Sequence, residues 1–235
     1  MGFLKKLFGK KEDNANSSVS IPSTERVLIV IPFADGRVYT GEVEGVIPNG
    51  HGKVTFPNGN VYEGEFHNGL PNGQMTVTMS NGEFYEGDMM DGLKCGKGKY
   101  VWNSGEEYIG EWADDKRNGQ GQLSSPSGVV YTGTWINSHL SGHGIESRPD
   151  GYTFEGIFED GHKKEGKESL PNGDVYEGSF LHDKAHGAGK ETLHDGATYE
   201  GDFENGQYNG HGVFTTSDGI RHEGEFENGY LVENT

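Results

Sequence analysis

The chain of 235 residues has little sulfur, little proline and little positive charge: one cysteine, eight prolines, and 19 lysines and arginines. A single cysteine, Cys95, excludes an internal disulfide and fits a reducing compartment. Set against 37 aspartates and glutamates, the few cations leave a net charge of -18. That balance speaks against nucleic acid as a partner, because neutralising phosphates needs a basic stripe and the body of the chain has none. No run approaches the roughly 20 apolar residues needed to span a bilayer. There is no apolar core of a secretory signal either. Only 31% of residues are hydrophobic, and without order so little apolar surface could not offset chain entropy.

Order is what the chain does have. Of its 40 glycines, nine belong to an aromatic-x-Gly series that returns every 23 residues. The series starts at Tyr39-Thr40-Gly41 and passes through Tyr62, Tyr85, Tyr108 and Tyr131 to Phe154. One interval then shortens to 22, and Tyr176, Tyr199 and His222 follow. A fixed period of this length marks a repeat architecture. Repeat stacks are mostly binding surfaces and scaffolds.

Within one repeat, Tyr62, Gly64 and Phe66 alternate with Glu63 and Glu65, the period of a strand with one apolar and one polar face. His67-Asn68-Gly69 and Asn72-Gly73 read as turns, since Asn-Gly accepts positive φ. Met75, Val77 and Met79 alternate again, and Asn81-Gly82 leads to the next unit. Each repeat is therefore expected to be a β-hairpin. Four residues after each motif aromatic stands another large side chain, such as Phe66, Met89, Trp112 or Trp135. The motif glycine leaves room for a ring of a neighbouring hairpin to lie on its backbone. The fold class is all-β: an elongated, single-layer, twisted sheet of stacked antiparallel hairpins.

Four segments follow from this reading. Residues 1–11 form a basic segment, and residues 12–24 are polar and linker-like. Residues 25–38 hold a capping strand around Val27–Ile31, and residues 39–235 carry eight full repeats and a partial ninth. On a helix, Phe3, Leu4, Leu7 and Phe8 share one face, and Lys5, Lys6, Lys10 and Lys11 mostly occupy the rest. Such a segment lies in a membrane interface, with lysines attracted to anionic lipid at about 1 kcal/mol each. The alternative is a frayed end, or a helix docked on the first hairpin.

The units resemble the MORN (membrane occupation and recognition nexus) repeat. The resemblance rests on Tyr62-Glu63-Gly64-Glu65-Phe66, on Asn49-Gly50-His51-Gly52 and Asn209-Gly210-His211-Gly212, and on Pro57-Asn58-Gly59. It covers about Arg37 to Tyr230. It implies a non-catalytic scaffold, linked to membranes, cytoskeletal assemblies or peptide partners through an aromatic-lined groove. Met75 departs from the pattern, as do Asp114-Asp115-Lys116, His182-Asp183-Lys184 and the shortened unit at Lys163-Lys164-Glu165, where a kink is expected near residues 160–168.

Two surfaces are candidates for function. The aromatic face, with Tyr62, Phe66, Tyr85, Tyr108, Trp112, Tyr131 and Trp135, is expected to hold an extended or helical peptide, against the plainer reading of rings that only stack. Residues 1–11 are expected to touch an anionic membrane surface. The glutamate rows, Glu63 to Glu223 and Glu42 to Glu225, read as a solvated face. His51, His143 and His211 sit whole repeats apart, so no metal site is expected. No nucleophile with a base, no phosphate loop and no cofactor site stands out. The expected function is a non-enzymatic, cytoplasmic scaffold or adaptor, peripheral on a membrane or cytoskeleton. The alternative is a self-assembling structural component or homodimer.

Overall fold

The computed structural model of the chain describes residues 27–232. These residues form strands and turns without a helix, and they divide into two compact units, Met1–Gly121 and Gln122–Thr235. In the first unit, β1 (Val27–Pro32) precedes four hairpins. They are β2 (Val38–Glu44) with β3 (Ile47–Thr55), β4 (Val61–His67) with β5 (Leu70–Thr78), β6 (Phe84–Met90) with β7 (Leu93–Val101), and β8 (Glu107–Ala113) with β9 (Lys116–Ser124). The second unit holds β10 (Val130–Ile136) with β11 (His139–Ser147), β12 (Thr153–Glu159) with β13 (His162–Ser169), and β14 (Val175–Leu181) with β15 (Lys184–Thr192). It ends in β16 (Thr198–Glu204) with β17 (Gln207–Thr215), and β18 (Arg221–Glu227) with the short β19 (Tyr230–Leu231). Strands pair antiparallel with their sequence neighbours, from β1 on β2 onward. The expected all-β stack of antiparallel hairpins is what the chain forms.

The turns explain why the chain folds back at these places. Asn68 and Gly69 both hold positive φ, 50° and 80°, the two-residue turn that matches strand twist. Between hairpins, Phe56-Pro57-Asn58-Gly59 closes with the Gly59 amide donating to the Phe56 carbonyl at 2.9 Å. The Asn58 side chain accepts the Asn60 amide at 3.1 Å.

Asn72-Gly73, read from sequence as a turn, lies inside β5 instead. It belongs to a bulge that recurs in the second strand of the hairpins. In the first hairpin Gly41 faces Gly52 and Val43 faces Pro48, so one residue on β2, Glu42, opposes three on β3. The bulge glycines carry positive φ, 107° at Gly50 and 110° at Gly73. A carboxylate from the opposite strand caps the bulge: Glu42 accepts the His51 amide at 3.0 Å, and Asp88 accepts the Lys97 amide at 3.1 Å. The second glutamate row thus bonds backbone as well as facing solvent. In the shortened unit, Ile157 faces Glu165 and Phe158 faces Lys163, one residue against two. The missing residue has come out of the bulge, and the carboxylate that would cap it is missing too, since Ile157 stands there.

Candidate partner-binding face

Tyr39, Tyr85, Tyr108, Tyr176 and Tyr199 each lie across the facing glycine pair of their own hairpin, whereas Gly64 beside Tyr62 faces Met75, and Leu140 and Phe158 cover the Gly133–Gly144 pair of the Tyr131 hairpin. A Cβ on Gly52 would stand 2.2–2.5 Å from Tyr39 ring atoms, and one on Gly189 would stand 2.5–2.7 Å from Tyr176. Only glycine leaves that space. The hydroxyl then donates to the carbonyl three residues on, at 2.5 Å from Tyr39 to Glu42 and 2.8 Å from Tyr176 to Ser179. Burial pushes the hydroxyls of Tyr39, Tyr62, Tyr108 and Tyr176 up to about 12. The large residues four positions on interlock edge-to-face with these rings. Trp112 meets Tyr108 at 5.1 Å and Tyr85 at 5.9 Å, and Phe180 meets Tyr176 at 5.1 Å and Phe154 at 5.2 Å.

Of the aromatic residues singled out from sequence, Tyr62, Phe66, Tyr85, Tyr108, Trp112 and Trp135 are at most 6% exposed. Tyr131 alone is half-buried. Their rings are packed into the face itself. Half-buried Trp102 lies against Tyr100, 4.7 Å between centroids. Residues 1–11 lie outside the described residues.

A second set of residues on this face went unread in the sequence. Opposite the residue four positions after the motif aromatic stands the second residue of the return strand. This position reads Pro48, Pro71, Lys94, Arg117, Leu140, Lys163, Ala185 and Tyr208. Three are cations among rings. In the first unit the Lys94 ammonium sits 4.4 Å from the Tyr100 ring centroid and 4.6 Å from that of Trp112. Burial lowers its pKa, against the opposing pull of Asp115 and Glu83. In the second unit the Lys163 ammonium sits 4.7 Å from the Tyr152 centroid and 5.1 Å from that of Phe154. It also bonds Glu168 at 2.8 Å and lies 3.8 Å from Glu146.

The two lysines account for two departures from the repeat. Where six other hairpins turn on glycine and one on Ser138, Asp115 and Asp183 hold φ of 66° and 60°. Their carboxylates accept the Lys94 and Lys163 amides one repeat earlier, both at 2.9 Å.

The units differ in the row that faces the motif aromatics. In the first, Val54, Val77 and Tyr100 face Tyr39, Tyr62 and Tyr85. In the second, Glu146, Glu168 and Glu191 face Tyr131, Phe154 and Tyr176, and Phe214 faces Tyr199. Carboxylates therefore stand on the aromatic face as well as on the opposite one. Glu146 is 3% exposed and accepts from Arg148 at 2.6 Å. Glu168 and Glu191 accept the Tyr152 and Tyr208 hydroxyls at 2.5 and 2.6 Å. Aligning the return strands by repeat, as was done for the first strands, would have exposed this row.

The MORN repeat family model matches residues 39–61, 62–74, 85–107, 108–130, 131–151, 176–198 and 199–221. The chain belongs to the MORN repeat family. Residues 152–175, which hold the shortened unit and Lys163, fall between the matched stretches. The comparison with curated proteins found no match. Similar solved structures include the SAS-4 (dCPAP) TCP domain of Drosophila melanogaster in complex with a proline-rich motif of Ana2. It is 12% identical, covers 91% of this chain and 97% of that one, and has a TM-score of 0.32. The TCP10 domain of Danio rerio CPAP is 15% identical, with 84% and 100% covered and a TM-score of 0.37. Likenesses this loose carry no function across.

Proposed function

We propose that this MORN repeat protein is a non-enzymatic scaffold in the cytoplasm that binds a protein partner on its aromatic face. The observation that carries the reading is the make-up of that face. Within each unit, rings and a cation gather on one side of strands that pack on their sequence neighbours. No helix among the described residues covers it. In the first unit Tyr62, Phe66, Tyr85, Tyr108 and Trp112 form the floor beside half-buried Trp102, and in the second Trp135 lies in the floor beside half-buried Tyr131. Amphipathic aromatics are favoured interface anchors, and membership of the family is consistent with an interaction role. Alanine at Trp102 together with Tyr131 is expected to weaken partner co-purification about tenfold, a loss of about 1.4 kcal/mol. Alanine at Glu63 and Glu200 on the opposite face is expected to leave it unchanged. Equal loss from both pairs would overturn the reading.

The scaffold is further proposed to attach to an anionic membrane through Phe3, Leu4, Lys5, Lys6, Leu7, Phe8, Lys10 and Lys11. The support is sequence chemistry alone: an apolar face beside four lysines, on a chain whose net charge of -18 would otherwise be repelled by anionic lipid. Co-sedimentation with phosphatidylserine vesicles tests it. The full chain is expected to pellet at modest salt, and a chain beginning at Ser23 is expected to stay in solution. Pelleting of both, or of neither, contradicts the attachment.

A further inference from the structure

The cation position of the second unit reads Lys163 in β13, Ala185 in β15 and Tyr208 in β17. Ala185 keeps the backbone placement of its siblings. It stands opposite Phe180, and its carbonyl accepts the Gly206 amide at 2.9 Å. Part of what surrounds Lys163 returns around Ala185 one repeat later, although Asp174 stands where Tyr152 does. Tyr176 takes the place of Phe154, Phe203 that of Phe180, Glu168 that of Glu146, and Glu191 that of Glu168.

The Tyr176 and Phe203 rings pack edge-to-face at 4.8 Å. Glu168 and Glu191 pair across the strands on either side of Tyr176. After burial, both add to the upward push on its hydroxyl. The site therefore keeps two of the rings and the Glu191 carboxylate, with Glu168 already held by Lys163, and has a methyl group where an ammonium-bearing chain would be. Among the described residues, Glu191 has no lysine or arginine ion pair, and its bond is to the Tyr208 hydroxyl. A half-buried carboxylate beside rings is costly to leave without a cation. Lys163 shows what this geometry accepts, since its ammonium lies over rings and against two carboxylates.

We infer that the Ala185 position receives a lysine or arginine side chain of the protein partner, so that the partner segment crossing β14 to β16 is basic. The inference rests on the aromatic face being the partner surface. An organic cation fits better than a metal ion. Rings favour an ammonium or guanidinium, and among the described residues no three metal-ligating side chains converge.

The test uses the full chain, a fluorescent oligolysine peptide and its oligoglutamate counterpart at physiological ionic strength. Oligolysine is expected to bind and oligoglutamate is not. Ala185→Lys, which supplies the chain's own ammonium, is expected to weaken oligolysine binding about tenfold. Thr192→Lys makes the same charge change on the opposite face and is expected to change binding less than about twofold. Glu191→Gln is expected to weaken it as well. Melting curves separate these losses from unfolding, and Ala185→Lys is expected to melt no lower than the parent.

Equal effects of Ala185→Lys and Thr192→Lys would mean diffuse attraction to an acidic protein and would overturn the inference, as would an absence of oligolysine binding. The Trp102 and Tyr131 substitutions report separately on the underlying reading. If they weaken partner binding and Ala185→Lys does not, only the basic contact fails.

Discussion

The two units share one scaffold and differ in what they bury on it. In both, a motif aromatic covers a glycine pair and interlocks edge-to-face with the large residues of its own and the next hairpin. In the first unit the facing row is Val54, Val77 and Tyr100, and the lysine beside it rests mainly on rings. In the second the row is Glu146, Glu168 and Glu191 before it ends in Phe214, and the lysine bonds carboxylates. The repeat thus fixes the backbone and the ring positions, and leaves a few positions free to carry the chemistry of recognition.

The shared half of the comparison predicts the largest effect. Tyr39, Tyr62 and Tyr108 in the first unit and Tyr176 in the second have hydroxyls raised from 10.0 to about 12 in the fold. The folded state favours the neutral phenol. That contribution is complete below pH 10 and is lost as pH rises toward 12. Ionisation of each ring therefore works against the fold, and the four act together. Alkaline titration is expected to show tyrosinate absorbance rising together with loss of strand signal. Ionisation well before unfolding would mean that the rings are not packed as described.

Gly52→Ala and Gly189→Ala come next. Each would drive a Cβ into a motif ring and is expected to cost about 3 kcal/mol by denaturant unfolding, alike in the two units. A cost in only one would break the shared scaffold.

The differing half is sharpened by one substitution made twice. Lys163→Met leaves Glu168 with the Tyr152 hydroxyl but no cation and weakens the support of buried Glu146, and is expected to cost about 2–3 kcal/mol. Lys94→Met keeps the contact with Tyr100 and Trp112 and relieves a buried charge, so it is expected to stay within about 1 kcal/mol. Equal costs would erase the electrostatic distinction between the units. The smallest effect belongs to Asp115→Gly. It removes the bond to the Lys94 amide, and it frees a side chain from positive φ. Those terms nearly cancel, to within about 1 kcal/mol.

How much of this was legible depends on which strand carries the signal. The Tyr-x-Gly strands were readable because their residues repeat in kind as well as in phase. The return strands repeat in phase but not in kind, with Pro48, Lys94, Ala185 and Tyr208 at one position. Neither the cations nor the glutamates on the aromatic face could be placed without the register of the bulge. That bulge also explains the misread Asn72-Gly73, whose dipeptide satisfies the backbone of a turn and of a bulge equally. Asp115 and Asp183 looked like lost turn glycines. Their purpose appears only when the lysine amide of the preceding repeat is seen in front of them.

Photo-crosslinking in cells tests the central claim most directly. A benzophenone amino acid placed at Trp102 or Tyr131 on the aromatic face, and at Glu63 or Glu200 on the other, reports which side a partner covers. The account predicts discrete crosslinked species from Trp102 and Tyr131 and none from Glu63 and Glu200. Crosslinks from the glutamate positions alone would place the partner on the acidic face and contradict it.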